Sequence, residues 1–453
     1  MRRSFSYIVC LIIMIWNLGA CHRAPSPLSF ISDKTGETNV KKFTLKNKMP
    51  VIFVEDPDTR VVTLDVWVNT GSASEPKDIN GVSHFLEHMM FKGTAKRGAG
   101  RLDAEIEAVG GLWNAGTSIE FTHYYLTVGA PFVDVGIDTL SDVIANSILD
   151  PREVEKERQV ILEEFFRQQD DPSHFLTTEA FRSSFQESPN QWPVLGIPET
   201  INSITREKLY DYFTRRYAPE NMLLVIVGGV KKDDLLPSLE EKFGSLERPF
   251  ESDSGTSPTT VRNTGLSMEF SKPVKEAYIL MTCPAPDLTM PEKVYACDVL
   301  SIILGEGRSS RLYRVIKEEK KLASSISSYF PTHRRDGLFL IFGTFDYTKK
   351  DDLIRAIHGE MNLLRNKMCS SAELQKAKRM LTNHYIFSQE TTNGRSGEIG
   401  FYYTLTGDTR FEETYLQNIQ AVSAKDVKQA ASEYLNPENA NIFIVGPEKN
   451  GKK

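Results

Sequence analysis

The sequence predicts two similar domains in tandem, each built from sheets covered by helices, and three observations carry that prediction. At 453 residues, 40% hydrophobic and 25% charged, the chain is long enough to bury large cores and to divide into two or more domains. It also repeats an ending. Pro219-Glu220-Asn221 leads into the apolar run 222–227 and Gly228, while Pro437-Glu438-Asn439 leads into 440–445 and Gly446, each after an amphipathic helical pattern (206–217 and 424–435). Similar endings imply similar units. Finally, strand signals at 61–69, 124–128, 277–282 and 338–344 alternate with long helical patterns, which suits helix-covered sheets.

The first element in chain order is an address. Arg2 and Arg3 precede an apolar run over 7–16 and then Leu18-Gly19-Ala20-Cys21; the run is too short for a membrane span and has the layout of a secretory signal. Its last four residues resemble a bacterial lipobox. Cleavage after residue 20 would leave Cys21 lipidated and residues 21–40, rich in Ser, Pro, Thr and Gly, as a flexible tether. An ordinary signal peptide is the alternative. No Asp follows Cys21, so the resemblance favours the outer membrane over the inner, on the periplasmic side of a bacterial envelope, with membrane contact through the lipid alone. The two domains then span 41–245 and 266–447, joined by a linker over 246–265 and followed by a tail over 448–453. A net charge of -6, with no basic cluster interleaved with aromatics, argues against a nucleic-acid partner. Once Cys10 and Cys21 are set aside, Cys283, Cys297 and Cys369 remain, an odd number without metal-binding spacing, and they read as core residues.

The segment His84-Phe85-Leu86-Glu87-His88 carries the chemistry. At about 3.6 residues per turn, positions 84, 87 and 88 share one helix face. Zinc catalysis needs about three protein ligands and a carboxylate that is not itself a ligand. Two imidazoles and the carboxylate of Glu87 supply part of that set, and a further ligand must come from elsewhere. Asp150-Pro151-Arg152-Glu153 reads as an N-cap, a Pro at the first helical position and a capping box, opening a helix to about residue 169. On it Glu157, Val160, Ile161 and Glu164 fall on one face, and carboxylates on an apolar stripe need a partner such as a metal. Glu163 points about 100° away from Glu164 and reads as solvated.

With His84-Phe85-Leu86-Glu87-His88-Met89-Met90-Phe91-Lys92-Gly93-Thr94, Asn114-Ala115-Gly116-Thr117-Ser118 and the segment from Glu157 to Glu164, the chain resembles the pitrilysin family of zinc metallopeptidases, the inverted zincins. The resemblance implies an α+β fold of two homologous domains, each a mostly antiparallel sheet covered by helices, facing each other across a cavity. It implies one Zn2+ per chain held by His84, His88 and Glu164, with Glu87 as general base and Glu157 as a carboxylate behind the ligands. It also implies an edge strand carrying Asn114 and Ala115, to which a peptide substrate adds as a further strand. His22, His123, His174, His333, His358 and His384 read as structural.

The second domain departs from the family. Gly305-Glu306-Gly307-Arg308-Ser309-Ser310-Arg311-Leu312 lacks the Lys-Ser/Thr ending of a phosphate loop. Where the family carries an Arg and a Tyr that hold substrate, this chain has Lys317 and Ser324. Lys lacks the planar donor fork and Ser lacks the phenol. The expectation is a zinc-bearing peptidase subunit paired with a homologous metal-free subunit, or a homodimer. A peptide-binding or assembly lipoprotein without turnover is the alternative.

Overall fold

The computed structural model describes residues 40–186, 188–250, 261–262 and 264–448. The predicted signal sequence, the lipidation site Cys21 and nearly all of the tether lie outside the described residues, as do most of the predicted linker and the end of the tail. No helix among the described residues is long and apolar enough to cross a membrane.

The first sheet comprises β1 (Val40–Thr44), β2 (Pro50–Glu55), β3 (Val61–Val68), β4 (Leu112–Thr117), β5 (Thr122–Gly129) and β6 (Met222–Gly228), in the order β1-β2-β6-β3-β5-β4. The second comprises β7 (Ser267–Lys272), β8 (Ala277–Pro284), β9 (Ser325–Tyr329), β10 (Leu338–Phe345) and β11 (Asn441–Pro447), in the order β9-β10-β8-β11-β7. Each sheet is antiparallel except for one pair: β2 runs parallel to β6, and β7 runs parallel to β11. The orders β2-β6-β3-β5-β4 and β7-β11-β8-β10-β9 therefore match strand for strand. Both Pro-Glu-Asn segments form a short turn entering β6 or β11, so the repeated ending delivers the same strand to the same place in each sheet.

The first half carries helices α1 (Val82–Met90), α2 (Arg101–Ala108), α3 (Val133–Asn146), α4 (Pro151–Asp170), α5 (Pro172–Ser184), α6 (Pro198–Ser203), α7 (Arg206–Arg216) and α8 (Lys232–Lys242). The second carries α9 (Pro291–Gly305), α10 (Lys350–Asn366), α11 (Ser371–Ser388), α12 (Thr392–Thr406), α13 (Arg410–Ala421) and α14 (Ala424–Tyr434). Phe85, Leu86 and Met89 of α1 and Ile137 and Leu140 of α3 meet Leu126 and Leu224 of the sheet in one apolar core. Cys283, Cys297 and Cys369 are buried in the corresponding core of the second half, as expected. Strands β3 and β6 are buried along nearly their whole length, the signature of a sheet covered on both faces.

The cover on the second face comes from the other half. Leu176 and Ala180 of α5 pack against Leu280, Leu340, Phe443 and Val445 of the second sheet. Reciprocally, Ile399 of α12 packs with Ile52, Val54, Trp67, Leu223, Val225 and Val227 of the first. The halves thus exchange one helix each, which the sequence did not foretell. The contact of α12 is close: the hydroxyls of Thr392 and Thr63 are 2.8 Å apart, and a Cβ added at Gly400 would lie 2.1 Å from Nε1 of Trp67.

Two sequence expectations for α4 are corrected. Asp150 does cap it, accepting from the Arg152 amide at 2.8 Å, but no capping box forms, because the Glu153 carboxylate pairs instead with Lys156 at 2.6 Å. The buried stripe is Val154, Glu157, Arg158, Ile161 and Glu164, while Val160 is 43% exposed. At 100° per residue, Val160 lies on the flank of that stripe.

Because the approach of α12 to Trp67 leaves no room for a methyl group, Gly400→Ala should destabilise the protein by about 1–3 kcal/mol. Urea unfolding followed by tryptophan fluorescence would measure it, and an unchanged midpoint would contradict the tight contact.

Candidate metal centre

Helix α1 begins at Gly81, whose φ of +97° is left-handed, and a Cβ there would lie 2.6 Å from the Leu195 carbonyl oxygen. Its first turn has no side-chain N-cap of its own. The carboxylate of Glu75 takes that role from outside the helix, accepting from the amides of Gly81 at 2.6 Å and Ser83 at 2.8 Å and from Nδ2 of Asn80 at 2.8 Å. Orphan amides at a helix start need such an acceptor. With Phe85, Leu86, Met89 and Met90 committed to the core, the face bearing His84, Glu87 and His88 turns toward α4.

Helix α4 is held there by Arg158. Its guanidinium donates to the carbonyls of Ile201 and, at 2.7 Å, Ile204, and it stands 5.3 Å from the centre of the Phe85 ring on α1. Glu157 and Glu164, one on each side of this anchor along α4, then face α1.

The outcome is a convergence of ligand atoms. Nε2 of His84 and Nε2 of His88 lie 3.8 and 3.7 Å from Oε2 of Glu164, and the ligand atoms of the three residues all lie within 4.8 Å of one another. An ion bonded to nitrogen at about 2.0–2.1 Å fits among them, and two imidazoles with one carboxylate are a zinc donor set. Burial and the neighbouring His88 push His84 well below the usual histidine value, keeping its ring neutral as a ligand must be. Burial works against a proton on His88, but its hydrogen bond to Glu157 and the nearby carboxylates raise it overall. Nδ1 of His88 is 3.1 Å from Oε2 of Glu157, which leaves Nε2 facing Glu164. The other oxygen of Glu157 meets Nζ of Lys92 at 2.6 Å. Burial alone would raise the Glu157 carboxyl; His88 and Lys92 hold it below the usual value. Among the described residues, this is the one group of His, Cys, Asp or Glu placed to hold a metal.

Glu87 lies beside this group and accepts from Oγ1 of Thr117 at 2.6 Å. Burial raises its carboxyl above the ordinary value, opposed by that hydrogen bond and by His88 and His123. Asn114 and Ala115 sit on β4, the edge strand of the sheet, where Oδ1 of Asn114 accepts from the Ala115 amide at 2.9 Å. Glu163 is exposed, as its angle on the helix predicted. Lys317 lies on a π-helical turn with its ammonium 5.0 Å from the centre of the Tyr313 ring. Ser324 donates to Glu276 at 2.6 Å. Sequence reasoning gave no role to Glu75, Lys92, Thr117 or Arg158. Of these, only Glu75 left a signal, as an acid just ahead of a helix that lacks an N-cap.

Residues 50–196 match the family described as Insulinase (Peptidase family M16), and residues 203–381 match the Peptidase M16 inactive domain. An uncharacterized zinc protease of Rickettsia felis is 30% identical over 409 residues, covering 90% of this chain and 97% of that protein. The chain belongs to the M16 (insulinase) family. A second M16 relative, an uncharacterized zinc protease of Bacillus subtilis, is 28% identical over 91% of this chain and 99% of its own length. Among solved structures, a protease from Helicobacter pylori superposes with a TM-score of 0.83 at 24% identity, over 90% of this chain and 99% of that one. A Pseudomonas fluorescens structure described as a peptidase M16 inactive domain gives 0.83 at 18% identity, over 92% and 100%. These two likenesses establish the two-domain M16 fold, a pair of helix-covered sheets.

Among the described residues, Glu75 is the side-chain cap of the helix that bears both histidines. Glu75→Gln, which replaces one accepting oxygen by a donor, should therefore cost about 1–3 kcal/mol of stability. Chemical denaturation would measure it; a loss too small to detect would show that the cap is dispensable.

Proposed function

We propose that this M16 protein is a zinc-dependent metalloendopeptidase acting on peptides or small unfolded polypeptides. The observation that carries the reading is the convergence of His84, His88 and Glu164 within 4.8 Å, with the carboxylate of Glu87 on the same helix face. His84, His88 and Glu164 would hold one Zn2+, and Glu157 would orient His88 through Nδ1, as carboxylates behind metal-bound histidines do. The bound ion supplies Lewis acidity, activating water and polarising the scissile carbonyl. Glu87 takes the proton from the attacking water and returns it to the leaving amine, while Thr117 fixes its carboxylate. The edge of β4 that meets no further strand among the described residues, with Asn114 and Ala115, takes the substrate as an added strand, which reads backbone and leaves sequence preference to side-chain pockets.

Glu87→Gln removes the base and no ligand. It should retain one zinc per chain by elemental analysis and lose about 10²–10⁴-fold in turnover, whereas His84→Ala should lose the metal. Substantial cleavage by metal-replete Glu87→Gln protein would sink the assignment.

Lys317 and Ser324 favour a division of labour, in which this chain is the zinc-bearing half of a heterodimer and a homologous metal-free subunit supplies the missing Arg and Tyr. The purified chain alone should then cleave unstructured peptides slowly, and EDTA should abolish what activity it has. Turnover by the single chain that no added partner improves would overturn the heterodimer while leaving the peptidase intact. The N-terminal pattern ending at Cys21 supports a lipid-anchored protein on the periplasmic side of a bacterial envelope, and mass spectrometry of the mature N-terminus would test it.

A further inference from the structure

One paired group beside the edge strand has no part in the mechanism above. Along β5, burial alternates: Tyr124, Leu126 and Val128 enter the core under the helices, while His123, Tyr125 and Thr127 face the other way. On β4, Trp113 and Ala115 pack against that same core, so Asn114 and Gly116 share the face of His123. Gly116 pairs directly with His123. A Cβ built on Gly116 would lie 3.3 Å from Nε2 and 3.6 Å from Cδ2 of His123, so the imidazole lies over the glycine. The missing side chain lets it reach one strand further out, toward the free edge where an added strand would pair.

The ring is fixed in that pose. It packs on Trp67 with centroids 4.3 Å apart and on Tyr125 at 5.5 Å. Nδ1 is 3.1 Å from Oδ1 of Asp65, and the Asp65 carboxylate is fully buried, its other oxygen 3.4 Å from the Ser396 hydroxyl on α12. A carboxylate so deeply buried needs hydrogen-bonding partners, and the His123 ring and the Ser396 hydroxyl both face it. With Nδ1 turned to Asp65, the polar Nε2 is the ring atom that faces out past Gly116. The His123 side chain keeps 20% of its surface exposed.

We propose that His123, positioned by Asp65 and reaching across Gly116, is a side-chain subsite that selects a hydrogen-bonding amide side chain such as Gln over an aliphatic one in the bound peptide. The inference rests on the peptidase reading and deepens it, since it names the side-chain class read at the edge strand. A hydrogen bond between Nε2 and the side-chain amide, which can both donate and accept, should favour such a peptide about fivefold over one carrying Leu at that position.

The test uses quenched fluorescent peptides that carry Glu, Gln, Leu or Lys in turn at each position around the cleaved bond. The variant is Asp65→Asn/His123→Phe, which keeps an aromatic ring over Gly116 and leaves no buried charge stranded; circular dichroism checks that it folds. Wild type should prefer Gln to Leu at one position, and the Gln-to-Leu ratio of kcat/KM there should fall about fivefold in the variant. In parallel, fluorescence anisotropy with the Glu87→Gln protein, with and without the double change, should give the same shift in the ratio of Kd values. Equal ratios in both backgrounds, or no preference for Gln over Leu in wild type, would overturn the subsite, leaving His123 and Asp65 as a structural pair. Absence of cleavage even with a partner subunit added counts against the peptidase reading, whereas the anisotropy ratio decides the subsite without any turnover.

Discussion

The structure of the first half is organised around the burial of charge between two helices. Glu157 and Glu164 on α4 and His84 on α1 are 6 to 7% exposed, and carboxylates so placed destabilise a fold unless partners meet them in good geometry. That requirement fixes the register of α4 against α1, because Glu157 must meet His88 and Lys92 while Glu164 meets both ring nitrogens. The surrounding structure enforces it. Arg158 ties α4 to the carbonyls of α6 and its following turn, Glu75 anchors the start of α1, and the apolar residues of α1 lock its other face into the core. A metal between the helices would add the missing cation to an arrangement whose remaining charges are already satisfied.

Much of this site could be read from the sequence because it depends on local periodicity. Positions 84, 87 and 88 share a face whatever lies opposite, and so do 157 and 164. Val160 misled because a stripe of two carboxylates and one Ile can be centred in more than one way; burial centred it on Val154 and Ile161. The groups around the site that come from elsewhere in the chain left little or no signal, for a different reason. Glu75 lies outside its helix, Arg158 reaches carbonyls more than 40 residues on, and His123 gains meaning only from Asp65 on the neighbouring strand and from the bare Gly116 on the other side. Such contacts leave no spacing in the chain.

The fold shows the same division. The repeated Pro-Glu-Asn ending announced two like units, and apart from β1 the two sheets agree strand for strand down to the single parallel pair in each. The exchange of α5 and α12 was hidden, since an amphipathic pattern shows that a helix has an apolar face without naming the sheet that face will cover. Gly400 is a mark of the exchange in the sequence, but it is one of three glycines in α12, and a glycine within a helical pattern has several readings. Its reason lies in Trp67, on a strand of the other half.

The exchange gives the second half a role that does not depend on metal chemistry. Among the described residues it holds no cluster comparable to the one on α1 and α4, yet its helix α12 covers β3 and β6 and brings Ser396 to Asp65 and Thr392 to Thr63. Separating the halves would expose the apolar faces of both α5 and α12 together with the sheet surfaces that they cover, a cost proportional to the area returned to water. The first sheet needs a second cover whether or not its partner carries a metal, so both halves contribute to burying the sheets although, among the described residues, only the first assembles a metal-binding cluster.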